Sequence, residues 1–392
     1  MRPIVLVCLS FVLSISCSTT RKSTSYNNTI TNIENHLYTI SASGKETGTA
    51  QTVPQRMAAL GIKGMSVAVF DEGKIIWTRC YGLRNEHDAI DSATVFQAAS
   101  ISKPLTSMAM LRLWENGLFS LDTDVNQYLK KWKIPENEFT AQDKVTIRRI
   151  ISHMAGLTVH GFAGYRPQDS LPNLTQILDG SPPANSQPVR VYLRPGIKES
   201  YSGGGFTILQ LLIEEITGKP FASAMEELII KPVDMRHSQF SIQLPDRMKA
   251  NAAAGYFSID KMVDGEYRRY PEQAAAGLWT TPSDLARFML AVGDSYRGVD
   301  SNSILKPSTA QEVLQKIPGG GGLGFGVDGR GDSLRYRHSG GNAGFSCYAV
   351  AFANKGRGVV IMTNSNDGTA VIREYLRSIS REYKWPPMWN RE

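Results

Sequence analysis

The sequence predicts an α+β protein whose antiparallel sheet is built from both ends of the chain. Apolar runs at 65–70 and 75–81 flank a turn, and a second such pair occurs at 345–352 and 358–364. Each pair is typical of a β-hairpin. Both pairs are apolar at consecutive positions, which indicates a sheet covered on both faces. Between them, from about 104 to 292, helical periodicity dominates.

Helices predicted in this middle region and at the chain end would flank the sheet. Those of the middle region are 146–153, 206–216, 221–230 and 281–292. The last of these opens on Thr281 and Pro282, a capping residue followed by proline at the first helical position. A terminal helix over 369–383 has one apolar side and would cover a face of the sheet.

Length and composition are sufficient for one large globular domain or two small ones. The chain has 392 residues, 42% of them hydrophobic, and a formal charge of +7. Because the positive residues are scattered and form no basic stripe, we expect no nucleic-acid partner. The histidines lack metal-ligand spacing and no Cys-x-x-Cys occurs, so neither a metal nor a cofactor is expected. A Gly-x-Gly-x-x-Gly match within 319–326 has no following helix and predicts a loop at a cleft edge.

The N-terminus predicts export. Residues 1–17 have a positive start and a short apolar core, which is too short to span a membrane. Small residues before Cys17 resemble a bacterial lipobox, so we expect a lipid on Cys17, a flexible tether over 18–32 and a folded domain over 33–385. This predicts a bacterial cell-envelope protein held to a membrane by its lipid. Ordinary signal cleavage, giving a soluble secreted or periplasmic protein, is the alternative.

Ser100 and Lys103 form the most informative motif in the chain. They lie three residues apart at the start of a predicted helix, where such spacing puts two side chains on one face. A serine needs an adjacent base to become a nucleophile, and an amine one turn away can supply it. The Ser-x-x-Lys pattern recurs at 258–261 and 303–306, but neither copy opens a helix. Only the first copy has the setting of a catalytic pair.

Two later segments add to this pair. Tyr201 lies on a Gly-rich turn at a predicted helix start, where it could point into a cleft and shuttle a proton. His338 follows a strand predicted over 334–337 and precedes Gly340 and Gly341. Glycines there allow a substrate close to the strand backbone. The N–H of Gly341 is a candidate oxyanion donor.

In the order of these motifs the chain resembles the serine β-lactamase and penicillin-binding protein superfamily, and above all its class C-like branch. That branch includes D-aminopeptidases, D-Ala-D-Ala carboxypeptidases and esterases. Further segments carry the likeness: a hairpin at 62–82, Ser-His-x-x-Gly-Leu at 152–157 and a Gly-Leu…Asp-Leu pattern at 277–285. His153, in the second of these, is interpreted as structural support. Gly203 departs from the family, which often has asparagine there.

The resemblance implies a β-lactamase/transpeptidase-like fold, with the sheet formed from about 62–82 and 334–364, and a serine hydrolase that works through an acyl-enzyme. Ser100 would attack the carbonyl of a small-molecule or peptide substrate, Lys103 and Tyr201 would share the proton transfers, and the N–H groups of Ser100 and Gly341 would hold the oxyanion. The choice of resting base between Lys103 and Tyr201 stays open. A true β-lactamase or D-Ala-D-Ala carboxypeptidase is one alternative to an esterase or D-amino-acid amidase; a non-catalytic binding or sensor lipoprotein is the other.

His338 stands where β-lactamases have lysine. With a reference pKa of about 6.5, a histidine is mostly neutral at pH 7.5. A substrate carboxylate would therefore be recognised less well than by a lysine, and better as the pH falls toward 6.

The two cysteines beyond the signal, Cys80 and Cys347, are both expected to be buried free thiols. In the family's sheet order their strands are three spacings apart, roughly 14 Å. That separation exceeds the reach of a disulfide.

Overall fold

A computed structural model describes residues 27–300 and 303–388 and shows the predicted α+β architecture. The strands are β1 (Leu37–Ile40), β2 (Glu46–Gln51), β3 (Gly64–Asp71), β4 (Lys74–Gly82), β5 (Phe96–Gln97), β6 (Gln239–Phe240), β7 (Tyr256–Ser258), β8 (Lys261–Met262), β9 (Leu278–Thr280), β10 (Gly326–Asp328), β11 (Arg335–Asn342), β12 (Phe345–Phe352) and β13 (Arg357–Thr363). The helices are α1 (Val53–Ala59), α2 (Ser102–Glu115), α3 (Ile147–Ile151), α4 (Leu174–Asp179), α5 (Gly203–Thr217), α6 (Phe221–Met225), α7 (Asp246–Lys249), α8 (Gln273–Ala276), α9 (Pro282–Arg297), α10 (Pro307–Val313) and α11 (Thr369–Glu382).

The central sheet joins the two ends of the chain. Its strand order is β10-β11-β12-β13-β3-β4, and every neighbouring pair is antiparallel. Both predicted hairpins, β3–β4 and β12–β13, are confirmed. β11 is longer than predicted: it runs from Arg335 to Asn342, so His338, Gly340 and Gly341 lie inside the strand. Pairing with β12 continues through both glycines, which is why the strand does not stop before them.

Both faces of this sheet are covered, as its consecutive apolar positions predict. Alternate side chains of β3 enter different cores: Ala68 and Phe70 enter the larger core, whereas Val67 and Val69 enter the smaller one. Helix α9 packs on the larger-core side, and α11 packs on the other. The predicted cap of α9 is confirmed, since the Thr281 hydroxyl accepts the N–H of Asp284 at 3.2 Å.

Helix α2 lies in the interior of the larger core. Every residue from Ser102 to Leu111 is buried, as expected for a helix enclosed by other elements. Helix α5 begins at Gly203, three residues before its predicted start. Gly203, Gly204 and Gly205 therefore form the first helical turn. Their neighbours pack so closely that a side chain at these positions would have little room.

The structure describes only part of the N-terminal region for which a signal, a lipidated cysteine and a tether were predicted. The signal (1–17), Cys17 and the first part of the tether lie outside the described residues. The tether prediction is wrong for residues 27–32, which belong to a helical segment over 27–35. Ile30 and Ile33 of this segment are buried in the smaller core, which gives it a fixed place. No helix among residues 27–300 and 303–388 has the length and apolar character needed to cross a membrane.

The two cysteines are free thiols, as expected. β13 and β3 separate the strand of Cys347 from that of Cys80. Cys347 is buried, but Cys80 is only partly buried, because its strand lies at the edge of the sheet.

Candidate active site

The turn that carries Ser100 is held by a small sheet beside the larger core. β5 pairs with β9, and the N–H of Ala98 donates to the carbonyl of Leu278 at 2.9 Å. Ala99 then adopts a left-handed conformation with φ of 49°, which is uncommon for a residue other than glycine. This turn is followed by one 3₁₀ turn, Ala99–Ile101, and by α2. Ser100 thus lies just before the helix and lines a cavity.

The predicted contact between Ser100 and Lys103 is present. The Lys103 Nζ lies 3.1 Å from the Ser100 Oγ and 2.8 Å from the carbonyl oxygen of Ala275 in α8. Lys103 is only 2% exposed. Within the described part of the chain, no carboxylate pairs with it, so its polar contacts are these two oxygens. An amine fixed in this way is within hydrogen-bond reach of the proton on Ser100.

Aromatic rings form the next wall around Lys103. Its Nζ lies 5.1 Å from the ring centroid of Tyr201 and 5.7 Å from that of Phe206. Tyr201 directly precedes Ser202, the capping residue of α5, whose hydroxyl accepts the N–H of Gly205 at 3.0 Å. The predicted assembly of Tyr201 with the serine–lysine pair is therefore observed. Ser202 itself serves the helix end.

His153 is a member of the site that sequence reasoning treated as structural support alone. Its ring lies against that of Tyr201, with centroids 4.3 Å apart, and its Nδ1 accepts the N–H of Ser202 at 3.1 Å. Burial, and then the nearby Lys103 and His338, hold the pKa of His153 well below its usual value of 6.5. The ring is therefore neutral, with its proton on Nε2, and it fixes the plane of Tyr201.

His338 faces the same cavity from β11, with its ring centroid 6.3 Å from that of Tyr201. Its Nδ1 lies 2.6 Å from the carbonyl oxygen of Ser339 and donates to it. Desolvation, and then the charge of Lys103, lower the pKa of His338 to about 3. The expectation of protonation near pH 6 is therefore wrong: the ring stays neutral there, and its Nε2 is an acceptor.

The two glycines of β11 have different surroundings: Gly340 is closely packed, whereas Gly341 is not. A Cβ on Gly340 would lie 2.3 Å from the carbonyl oxygen of Ala98 and 2.5 Å from the Cys347 Sγ. Gly340 therefore lets the strand approach the turn that carries Ser100. A Cβ on Gly341 would meet nothing within 4 Å, so this position borders open space. The expected close approach of a substrate fits Gly341 and not Gly340.

Two adjoining cavities meet along β11. The reaction cavity, about 380 Å³, is lined by Ser100, Tyr201, His338 and glycines of the loop around 321–326, which confirms the predicted cleft edge. A larger cavity of about 810 Å³ shares Ser339 and Gly341 with it. Several aromatic side chains line this second space: Phe162, Phe257, Tyr270, Phe345 and Tyr348.

Some contacts had no recognisable signal in the sequence. The Ala275 carbonyl is a backbone group, so no motif marks it as the second partner of Lys103. Glu199, which lines the reaction cavity, lies only two residues before Tyr201 and was detectable by that proximity. Among residues 27–300 and 303–388, no cluster of three or more histidine, cysteine or acidic side chains is arranged to hold a metal ion.

The family model described as β-lactamase matches residues 49–379. The chain belongs to the β-lactamase family. Among curated relatives, it is 26% identical over 228 residues to Esterase EstB of Burkholderia gladioli. This matched stretch covers 56% of this chain and 58% of the esterase. The chain spans a little over half the length of the curated relatives that it matches.

Solved structures show the same fold. An octameric penicillin-binding protein homologue from Pyrococcus abyssi superposes with a TM-score of 0.70 at 19% identity, covering 86% of this chain and 76% of that chain. A D-amino acid amidase from Ochrobactrum anthropi superposes with a TM-score of 0.67 at 20% identity. The superposition covers 84% of this chain and 97% of the amidase chain. The predicted family and fold are confirmed.

The glycine pair provides a matched test of the contact between β11 and the turn. Gly340→Ala should lower the melting temperature and reduce kcat/KM by about a hundredfold, because a displaced turn misplaces Ser100. Gly341→Ala should keep its free energy of unfolding within about 0.5 kcal/mol of wild type, since its Cβ enters open space. Thermal melts and ester hydrolysis measure both effects. Equal losses of stability would contradict the assignment.

Proposed function

We propose that the chain is a serine hydrolase that cleaves an ester or amide through an acyl-enzyme on Ser100. The observation that carries this proposal is the 3.1 Å contact between the Ser100 Oγ and the Lys103 Nζ in the wall of a cavity. Tyr201 lies beside the same amine. A nucleophile, a base and a second proton carrier are therefore together at one place.

The reaction follows from this arrangement. The Ser100 Oγ forms a bond to the substrate carbonyl carbon while its proton passes to the Lys103–Tyr201 pair. The N–H groups of Ser100 and Gly341 stabilise the resulting oxyanion. When the tetrahedral intermediate collapses, the bond to the leaving group breaks and the pair returns the proton to that group. Water then attacks the acyl-enzyme by the same steps, which releases the acid and restores Ser100.

The geometry favours an esterase or a D-amino-acid peptidase or amidase over a β-lactamase or D-Ala-D-Ala carboxypeptidase. The latter substrates present a carboxylate, and His338 offers it no positive charge because its pKa is about 3. Similarity to Esterase EstB agrees with an ester substrate. The aromatic lining of the larger cavity fits a bulky apolar group on the substrate.

We also propose that the enzyme is anchored to the bacterial envelope by a lipid on Cys17. Support comes from the short apolar core before Cys17 and the polar residues after it.

The nucleophile is tested by Ser100→Ala. This change should abolish ester hydrolysis and labelling by a fluorophosphonate probe, with a loss of about 10⁶ in kcat. Ser258→Ala, in an exposed Ser-x-x-Lys copy, is the matched control and should retain both. An unchanged melting curve shows that the fold is intact. Labelling that persists in Ser100→Ala, or fails in wild type, would favour another nucleophile or a non-catalytic protein.

His338 sets the pH dependence. Because its pKa is depressed to about 3, the ring is neutral throughout pH 5.5–8.5. The ratio of kcat/KM for nitrocefin to that for p-nitrophenyl butyrate should therefore be low and should not rise as the pH falls through 6.5. His338→Lys should raise it severalfold, since a charged hydrogen bond exceeds a neutral one by about 1 kcal/mol. Efficient turnover of nitrocefin by wild type at pH 8.5 would instead support a β-lactamase.

The lipid anchor is tested by fractionating cells that express the full chain. Wild type should sediment with membranes, whereas Cys17→Ser should be released, because a serine accepts no thioether-linked lipid. Cys8→Ser, inside the apolar core, is the matched control and should stay with membranes. Equal membrane retention of the Cys17→Ser protein would rule out the anchor.

A further inference from the structure

Gly203, two residues after Tyr201, leaves room for the ring of Phe162. A Cβ on Gly203 would lie 3.0 Å from the Phe162 Cε2 and 3.4 Å from its Cδ2. A side chain at position 203 would therefore have to shift this ring. The glycine that stands here, where the family often has asparagine, is thus coupled to the presence of an aromatic side chain beside the site.

The loop that carries Phe162 is held against the turn before α5. The Ser202 hydroxyl donates to the carbonyl of Thr158 at 2.7 Å. The N–H of Gly204 donates to the carbonyl of Val159 at 3.0 Å. Because neighbouring residues of the loop bind neighbouring residues of the turn, the place of Phe162 is fixed relative to the tyrosine of the site.

Phe162 lines the larger cavity, whose walls suit an apolar ligand. The buried polar side chains of these walls have partners within the protein. The Asn342 amide donates to a glutamine side chain at 2.8 Å, the Ser346 hydroxyl donates to a backbone carbonyl at 2.9 Å, and the Tyr270 hydroxyl accepts a backbone N–H at 3.2 Å. Among the described lining residues Arg373 is charged, and it is exposed on α11. Aromatic and aliphatic surface remains for a ligand to contact.

The place of the proton carriers decides which half of a substrate enters this cavity. The Lys103–Tyr201 pair returns a proton to the leaving group, and Tyr201 lines the reaction cavity. The leaving group therefore lies in the reaction cavity. Gly341, the candidate oxyanion donor, borders both cavities. The group on the other side of the carbonyl, which is the acyl chain, can then extend past Gly341 into the larger cavity.

We propose that Phe162 is a specificity-determining residue that selects esters of apolar acyl chains longer than butyryl, and that Gly203 is the residue that permits it. The acyl chain packs against the Phe162 ring and carries neither a charge nor a hydrogen-bonding group. This inference rests on the proposed hydrolase function and narrows its substrates to one class.

The test measures kcat/KM for the p-nitrophenyl esters of acetate and octanoate, below the concentration at which the octanoate ester forms micelles. The ratio of octanoate to acetate values should exceed one in wild type, because each buried methylene favours binding by up to about fourfold. Phe162→Ala should lower this ratio roughly three- to tenfold, since it removes apolar surface that the chain contacts. A wild-type ratio of one or less, or equal ratios in the two proteins, would overturn the proposal.

Gly203→Asn tests the coupling between the two positions. By shifting the ring, it should lower both the octanoate-to-acetate ratio and the melting temperature. In the Phe162→Ala background the same change should cause a smaller loss of both, because the ring that it displaces is already gone. Losses that simply add would contradict the coupling.

Phe139→Ala is the matched control. Phe139 is a partly buried phenylalanine that packs against the same core as Phe162 but lies outside the lining of both cavities. Its truncation should leave the octanoate-to-acetate ratio at the wild-type value. An equal drop in this control would show a general effect of destabilisation and would count against Phe162.

A binding measurement separates this inference from the hydrolase proposal. In the Ser100→Ala protein, ligand-observed NMR should show tighter binding of octanamide than of butanamide, and Phe162→Ala should reduce the difference. If wild type hydrolyses neither ester, the hydrolase proposal fails while this comparison still decides the acyl preference. Equal affinities for the two amides would overturn the preference.

Discussion

The close approach of strand β11 to the turn that carries Ser100 is the constraint on which the site depends. Gly340 leaves room for the Ala98 carbonyl, and the Cys347 thiol donates to that carbonyl at 3.1 Å. One residue past the glycine pair, the Asn342 amide donates to the Gln97 side chain at 2.8 Å. These contacts join a segment from the first third of the chain to one near its end. The cavity forms where they meet.

Electrostatics inside the site follow from burial. Lys103 is enclosed by a hydroxyl, a carbonyl and two aromatic rings. Desolvation and the positive charge of Lys103 lower the pKa values of His153 and His338, so both rings stay neutral. Further positive charges in this poorly solvated wall would raise the free energy of the folded protein. The neutral rings then act through geometry: one fixes Tyr201 and the other offers an acceptor.

Much of this arrangement could be predicted because it is local. Both hairpins are predicted by runs of apolar residues, and the Ser100–Lys103 contact is predicted by a three-residue spacing at the start of a helix. Predictions failed where distant parts of the chain decide the outcome. β11 extends through its glycines because β12 pairs with them, and residues 27–32 are helical because Ile30 and Ile33 find a core to enter. The reference pKa of a histidine gave no indication of how far burial would shift that of His338.

The sequence by itself determined the class of fold, the family, and the serine and lysine at the start of one helix. Spacing along regular elements specifies the hairpins and the serine–lysine pair, whereas the family was recognised from the order of its motifs along the chain. Tertiary structure alone decided that the Ala275 carbonyl is the second partner of Lys103, and that Gly340 serves packing while Gly341 borders open space. Such features are relations between atoms far apart in the chain, and they exist only once the two ends close one sheet.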